Sequence, residues 1–153
     1  MVSYFFDSSA LVKRYATETG SAWVESLTDP RVGNRIYVAA ITHVEVVAAI
    51  ARKRKGLLIS TTDATAAIVR FEHDLEHDLR VFDLTPKVMT TAAQLADKHA
   101  LRGYDSVQLA VALEINVART AQQLPSLILI SSDAELNAAA QTEQLVTDDP
   151  NLH

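Results

Sequence analysis

The chain has 153 residues, 48% of them hydrophobic, which suits one ordinary core and predicts one domain over residues 1–153 with no linker. A net charge of −5 argues against holding nucleic acid through bulk positive charge, so cations that meet a polyanion must be local or metal-borne. Cysteine is absent, which excludes disulfides and thiolate metal sites and leaves oxygen or imidazole ligands for any metal.

Met1-Val2-Ser3-Tyr4 runs into an apolar segment without a basic region or small-residue cleavage site, unlike a secretory signal. The longest apolar stretch, Ile36 to Ala51, carries Thr42, His43 and Glu45 and falls short of a membrane span. The expectation is a soluble cytoplasmic protein.

Val2 to Phe6 is an apolar run that stops at Asp7-Ser8-Ser9 and predicts a buried strand. Ala10 to Ala16 and Ser21 to Leu27 have helical character, and Asp29-Pro30 closes the second. Ile36 to Ala40 predicts another strand. Thr42 to Lys55 has helical spacing, a basic end that suits the dipole, and Gly56 as its stop. A longer amphipathic helix over Thr62 to Leu79 leads to a strand over Arg80 to Leu84. Thr85-Pro86 then supplies a cap and an N1 proline for a helix ending near His99. After Leu101-Arg102-Gly103, helical spacing resumes from Tyr104 to Arg119. Leu127 to Ile130 predicts a strand ending in Ser131-Ser132-Asp133, followed by a helix over Ala134 to Ala140 and an edge strand at Leu145-Val146. Strands apolar on both faces and alternating with helices indicate an α/β fold with a parallel sheet covered on both sides.

Ligands of open parallel sheets bind at the carboxyl ends of the strands, where strand order reverses. Two strands here finish in an acid, Asp7 and Asp133, and would share a crevice if they are neighbours. Glu45 and Asp105 stand in otherwise apolar first turns of predicted helices. Singly, each acid has a structural explanation. Thr42-x-x-Glu45 and Ser132-x-x-Glu135 match capping boxes, and Asp7 and Asp105 could be N-caps. Together they are more informative, since clustered carboxylates repel one another and call for a cation. Oxygen-only ligands select Mg²⁺ or Mn²⁺, and such a site can drive in-line phosphodiester displacement.

The segments Phe6-Asp7-Ser8-Ser9-Ala10-Leu11-Val12-Lys13, Thr42-His43-Val44-Glu45-Val46, Tyr104-Asp105-Ser106-Val107-Gln108-Leu109-Ala110 and Ser132-Asp133-Ala134-Glu135-Leu136 resemble, in order, the PIN domain and its VapC-like toxins. The resemblance runs from residue 3 to about residue 150 and implies a three-layer α/β/α sandwich with a mainly parallel sheet. It implies Mg²⁺- or Mn²⁺-dependent endoribonuclease activity, with Asp7, Glu45, Asp105 and Asp133 as metal-binding catalytic acids and Ser8, Ser9 and Ser132 orienting water or a carboxylate. It also implies an RNA substrate, an antitoxin that blocks the acidic groove, and a homodimer, with no membrane association.

Lys13, Arg14 and Arg102 lie within a few residues of these acids in sequence and are the expected RNA phosphate contacts. Arg52 to Lys55 is better explained as a solvated helix end. His73 and His77, four apart on a helix, could chelate a metal, but a solvated face explains them better. Trp23 and Tyr37 are expected in the core, and Tyr104 either there or stacked on a base. A catalytically silent PIN-fold module binding RNA or protein is the main alternative, and the presence of all four acids disfavours it. A phospho-receiver would need an acidic pair after the first strand and a lysine after the last. A haloacid-dehalogenase-like phosphatase would need Asp-x-Asp, where position 9 is Ser9.

Overall fold

The computed structural model describes residues 1–153. Its five strands are β1 (Ser3–Phe6), β2 (Arg35–Ala39), β3 (Arg80–Phe82), β4 (Ile128–Ile130) and β5 (Val146–Asp148). They form one sheet in the order β3-β2-β1-β4-β5, and every pairing is parallel. The helices are α1 (Ser8–Leu11), α2 (Ser21–Thr28), α3 (Thr42–Lys55), α4 (Thr61–His77), α5 (Pro86–His99), α6 (Gly103–Ala121) and α7 (Ala134–Thr142).

Successive side chains of a strand point to opposite faces, so apolar runs such as Tyr4-Phe5-Phe6 and Ile128-Leu129-Ile130 supply two cores at once. Phe5, Ala39 and Leu129 pack with Val88, Leu109 and Leu136 of α5, α6 and α7. Phe6, Val38 and Ile130 pack with Leu11, Val24, Ile50 and Phe71 of α1 to α4. The result is the expected α/β/α sandwich. No helix is long and apolar enough to cross a membrane.

Local chemistry fixes most helix ends. Ser60 and Thr85 cap α4 and α5 by accepting from Asp63 N and Val88 N, and Pro86 occupies the first turn of α5. Two expectations shift. The helix predicted over Ala10 to Ala16 begins at Ser8, because Asp7 caps it, and tightens to a 3₁₀ turn over Val12–Arg14. Gly56 does follow α3, but its φ is −78°, and Leu57 takes the left-handed conformation at φ 59°. Leu57 N donates to Arg54 O and Leu58 N to Lys53 O, the bond pair of a Schellman stop displaced by one residue.

Strand order turns around between β1 and β4, which lie side by side. Main-chain bonds continue past both strand ends, Asp7 N donating to Ile130 O and Ser131 N to Asp148 O. The residues after β1 and β4 are therefore fixed by the sheet rather than left to loops.

Candidate active site

At the carboxyl edge of β1 and β4 lies a cavity of about 380 Å³ lined by Asp7, Glu45, Asp105 and Asp133, together with Ser8, Ser9, Arg52, Arg102 and Tyr104. Each acid comes from a different element: the end of β1, the first turn of α3, the first turn of α6 and the cap of α7. Val12, Val44, Ala48 and Ala49 form an apolar wall beside them. Four carboxylates facing two guanidiniums leave the lining with a formal charge of −2.

Asp7 is 3% exposed. Ser9 Oγ lies 2.7 Å from its Oδ1 and 2.9 Å from its Oδ2, Ser131 Oγ donates to Oδ2 at 2.7 Å, and Ala10 N donates to Oδ1 at 3.0 Å. Burial nevertheless outweighs these donors and pushes the carboxyl up to about 6, with the Asp105 charge adding to the rise. Asp105 is also raised, by burial first and by the Asp133 charge second, against the opposing Arg102. Arg102 spans the pair, its Nε 3.3 Å from Asp105 Oδ2 and its Nη2 3.1 Å from Asp133 Oδ2. Glu45 is held differently, by Gln108 Nε2 at 2.8 Å.

The capping explanations divide. Asp7 and Asp133 do cap helices, accepting from Ala10 N and Leu136 N. Neither capping box forms: Thr42 Oγ1 accepts from Gln108 instead, and Asp133 rather than Ser132 caps α7. Asp105 sits inside the first turn of α6 without capping it.

The family model of the PIN domain matches residues 4–141. The chain belongs to the PIN-domain family. It is 32% identical over 136 residues to ribonuclease VapC45 of Mycobacterium tuberculosis, covering 89% of this chain and 88% of that protein. PAE2754 of Pyrobaculum aerophilum has a similar fold, with a TM-score of 0.64 at 19% identity over 99% of this chain and 91% of that one. A toxin–antitoxin complex from Klebsiella pneumoniae matches at a TM-score of 0.58 and 16% identity, over 88% of this chain and 90% of that one.

Within the PIN-domain fold, several sequence expectations need correction. Lys13 and Arg14 do not reach the cavity. Lys13 Nζ is buried against Glu18 Oε1, Thr19 O and Asn151 Oδ1 at 3.0, 2.8 and 3.0 Å. Arg14 is buried with Asp74, its Nε 2.9 Å from Oδ2, in a network that includes Thr28 and Tyr15. These partners hold Asp74 below the usual carboxylate range despite burial. Both side chains tie the fold together and are not free for phosphate. Ser132 Oγ holds no carboxylate: the hydroxyl is buried without a protein partner, and its backbone N donates to Ser9 Oγ. The hydroxyl that holds Asp7 belongs to Ser131, which also accepts from Asp133 N.

Sequence reasoning missed Gln108 and set Arg52 aside as part of a solvated helix end, whereas it lines the cavity. Gln108 is obscured by its apolar neighbours. Arg52 follows Glu45 by seven residues, two turns along the same face of α3, and that spacing was the available signal. Trp23 and Tyr37 are half-buried and pack against the two cores from their edges, Trp23 also stacking on His153, and Tyr104 is exposed with Arg102 over its ring.

A second group of ligand atoms lies elsewhere, where His73, Asp74 and Asp78 approach within 4.8 Å of one another. It is geometrically tighter than an open acid-lined cavity, but Arg14 already compensates the Asp74 charge. His77 is not part of it: its ring stacks on His73 and its Nδ1 meets His73 O. On charge balance, the cavity at the sheet edge has the greater need of a cation.

Proposed function

We propose that this chain is a divalent-metal-dependent endoribonuclease acting as the toxin of a toxin–antitoxin pair, with Asp7, Glu45, Asp105 and Asp133 as its catalytic acids. The observation that carries this reading is the gathering of four carboxylates from four separate elements in one cavity, with Asp7 buried among hydroxyl and backbone donors and paired with no Lys or Arg side chain. The name of the VapC45 relative supports the ribonuclease assignment. The Klebsiella neighbour supports the partner.

The donor set fits a hard cation, since the lining offers carboxylate and hydroxyl oxygens and neither histidine nor cysteine. Bound there, Mg²⁺ or Mn²⁺ would lower the pKa of water and offset charge on the leaving oxygen. Ser9 and Ser131 keep Asp7 oriented. Arg102 and Arg52 serve as local phosphate contacts at two sides of the cavity, supplying the positive charge that the whole chain lacks. An antitoxin would inhibit by bringing an arginine fork onto two of the carboxylates, as Arg102 does within the chain for Asp105 and Asp133.

The test is cleavage of an RNA with Mg²⁺ or Mn²⁺, after chelation, and by Asp105→Asn. The parent should cut only with metal, and Asp105→Asn should lose cleavage by at least about 100-fold while remaining folded, since the amide keeps the shape and removes the charge. Equal cleavage by parent and variant would rule out this site.

A further inference from the structure

Gln108 lies on α6 three residues after Asp105, on the same side of the helix, and is 1% exposed. Its Nε2 is 2.8 Å from Glu45 Oε1, 3.0 Å from Thr42 Oγ1 and 3.2 Å from Ser8 Oγ. One amide nitrogen therefore joins α6 to the segments that follow β1 and β2, each of which carries an acid of the cavity. The nitrogen has two hydrogens for three acceptors, and its shortest contact is to the carboxylate. The reverse orientation would set the amide oxygen against the carboxylate oxygen, so Glu45 determines which end faces it.

The other end of the amide explains why the residue is there. Gln108 Oε1 is buried and has no hydrogen-bond partner. An unsatisfied buried carbonyl is costly, and an unbranched apolar side chain would fill the same space without that cost. Packing alone gives no reason for glutamine here. The reason lies in the NH₂ group and what it holds.

The geometry points to Gln108 as a positioning residue for Glu45. Its donation engages Oε1, leaves the second carboxylate oxygen available, and fixes a side chain whose rotamer freedom would otherwise be lost only on ligand binding. Glu45 of α3 and Asp105 of α6 are thereby held as one constellation, although no backbone bond joins their helix starts. This role rests on the metal-dependent ribonuclease reading above.

The test is calorimetric titration of the full chain with Mn²⁺, alongside thermal melts, for the parent and Gln108→Met, each also in a Glu45→Ala background. Methionine keeps the length and removes the donor, and a cooperative melt shows that the variant is folded. Its Mn²⁺ affinity should fall about 10- to 100-fold. In the Glu45→Ala background the same substitution should change affinity by less than about 2-fold, because its effect passes through Glu45. A merely structural glutamine would give equal losses in both backgrounds, and that result overturns the assignment. Parent-like affinity in Gln108→Met overturns this role alone, whereas a parent that takes up no Mn²⁺ overturns the ribonuclease reading and this role with it. If the methionine variant loses its folding transition, Gln108→Leu takes its place in the same comparison.

Discussion

Asp7 carries two opposing demands. It caps α1 and takes two hydroxyl donors, yet its burial disfavours the charge that a cation site requires. Because its carboxyl lies at about 6 when folded against 3.8 as the ordinary value, the folded chain holds a proton that the unfolded chain has released between those pH values. Stability of the metal-free protein therefore falls as pH rises through that window and stays lower above it. The shift corresponds to about 3 kcal/mol. Asp7→Asn should raise the melting temperature of metal-free protein at pH 8 and flatten its dependence between pH 4 and 7, as scanning calorimetry would register. A lower melting temperature for the variant at pH 8 would show that the buried charge is compensated. At this scale the sequence was legible where an acid ends an apolar run, as Asp7 does. It was not legible for Ser131 against Ser132, because that choice depends on which hydroxyl the end of β4 turns toward Asp7. Lys13 and Arg14 misled because long side chains go to their partners: Lys13 turns to Glu18 and Thr19 close by and to Asn151, and Arg14 to Asp74, both of the latter far along the chain.

Elements were legible wherever capping chemistry is local, as at Ser60 and at Thr85-Pro86. The stop of α3 was less so, because the glycine sits one residue before the left-handed position. Leu57 adopts φ 59° while 90% exposed, so its side chain gains little there and its Cβ strains the backbone. Leu57→Gly should stabilise the protein by about 0.5–1 kcal/mol, as measured by urea denaturation. A loss of stability would mean that Leu57 makes contacts the fold depends on. The same helix shows how an element can carry function on one stripe, with Glu45, Ala48, Ala49 and Arg52 all facing the cavity.

For the whole molecule, the alternation of strands and helices was enough to anticipate a parallel sheet with two covered faces, since apolar runs such as Tyr4-Phe5-Phe6 must be buried on both sides. Strand order was not, because pairing β1 with β4 joins segments more than a hundred residues apart and leaves no local trace. That pairing is what brings Asp7, Ser131 and Asp133 to one edge. The central claim is that the resulting acidic cavity is the cation site of a PIN-domain ribonuclease, and it competes with the His73, Asp74 and Asp78 group on α4 and just beyond its end. Anomalous diffraction from crystals grown with Mn²⁺ decides between them. The account predicts a manganese peak in the cavity against the carboxylate of Asp7. A peak at His73, Asp74 and Asp78 with none in the cavity would contradict it.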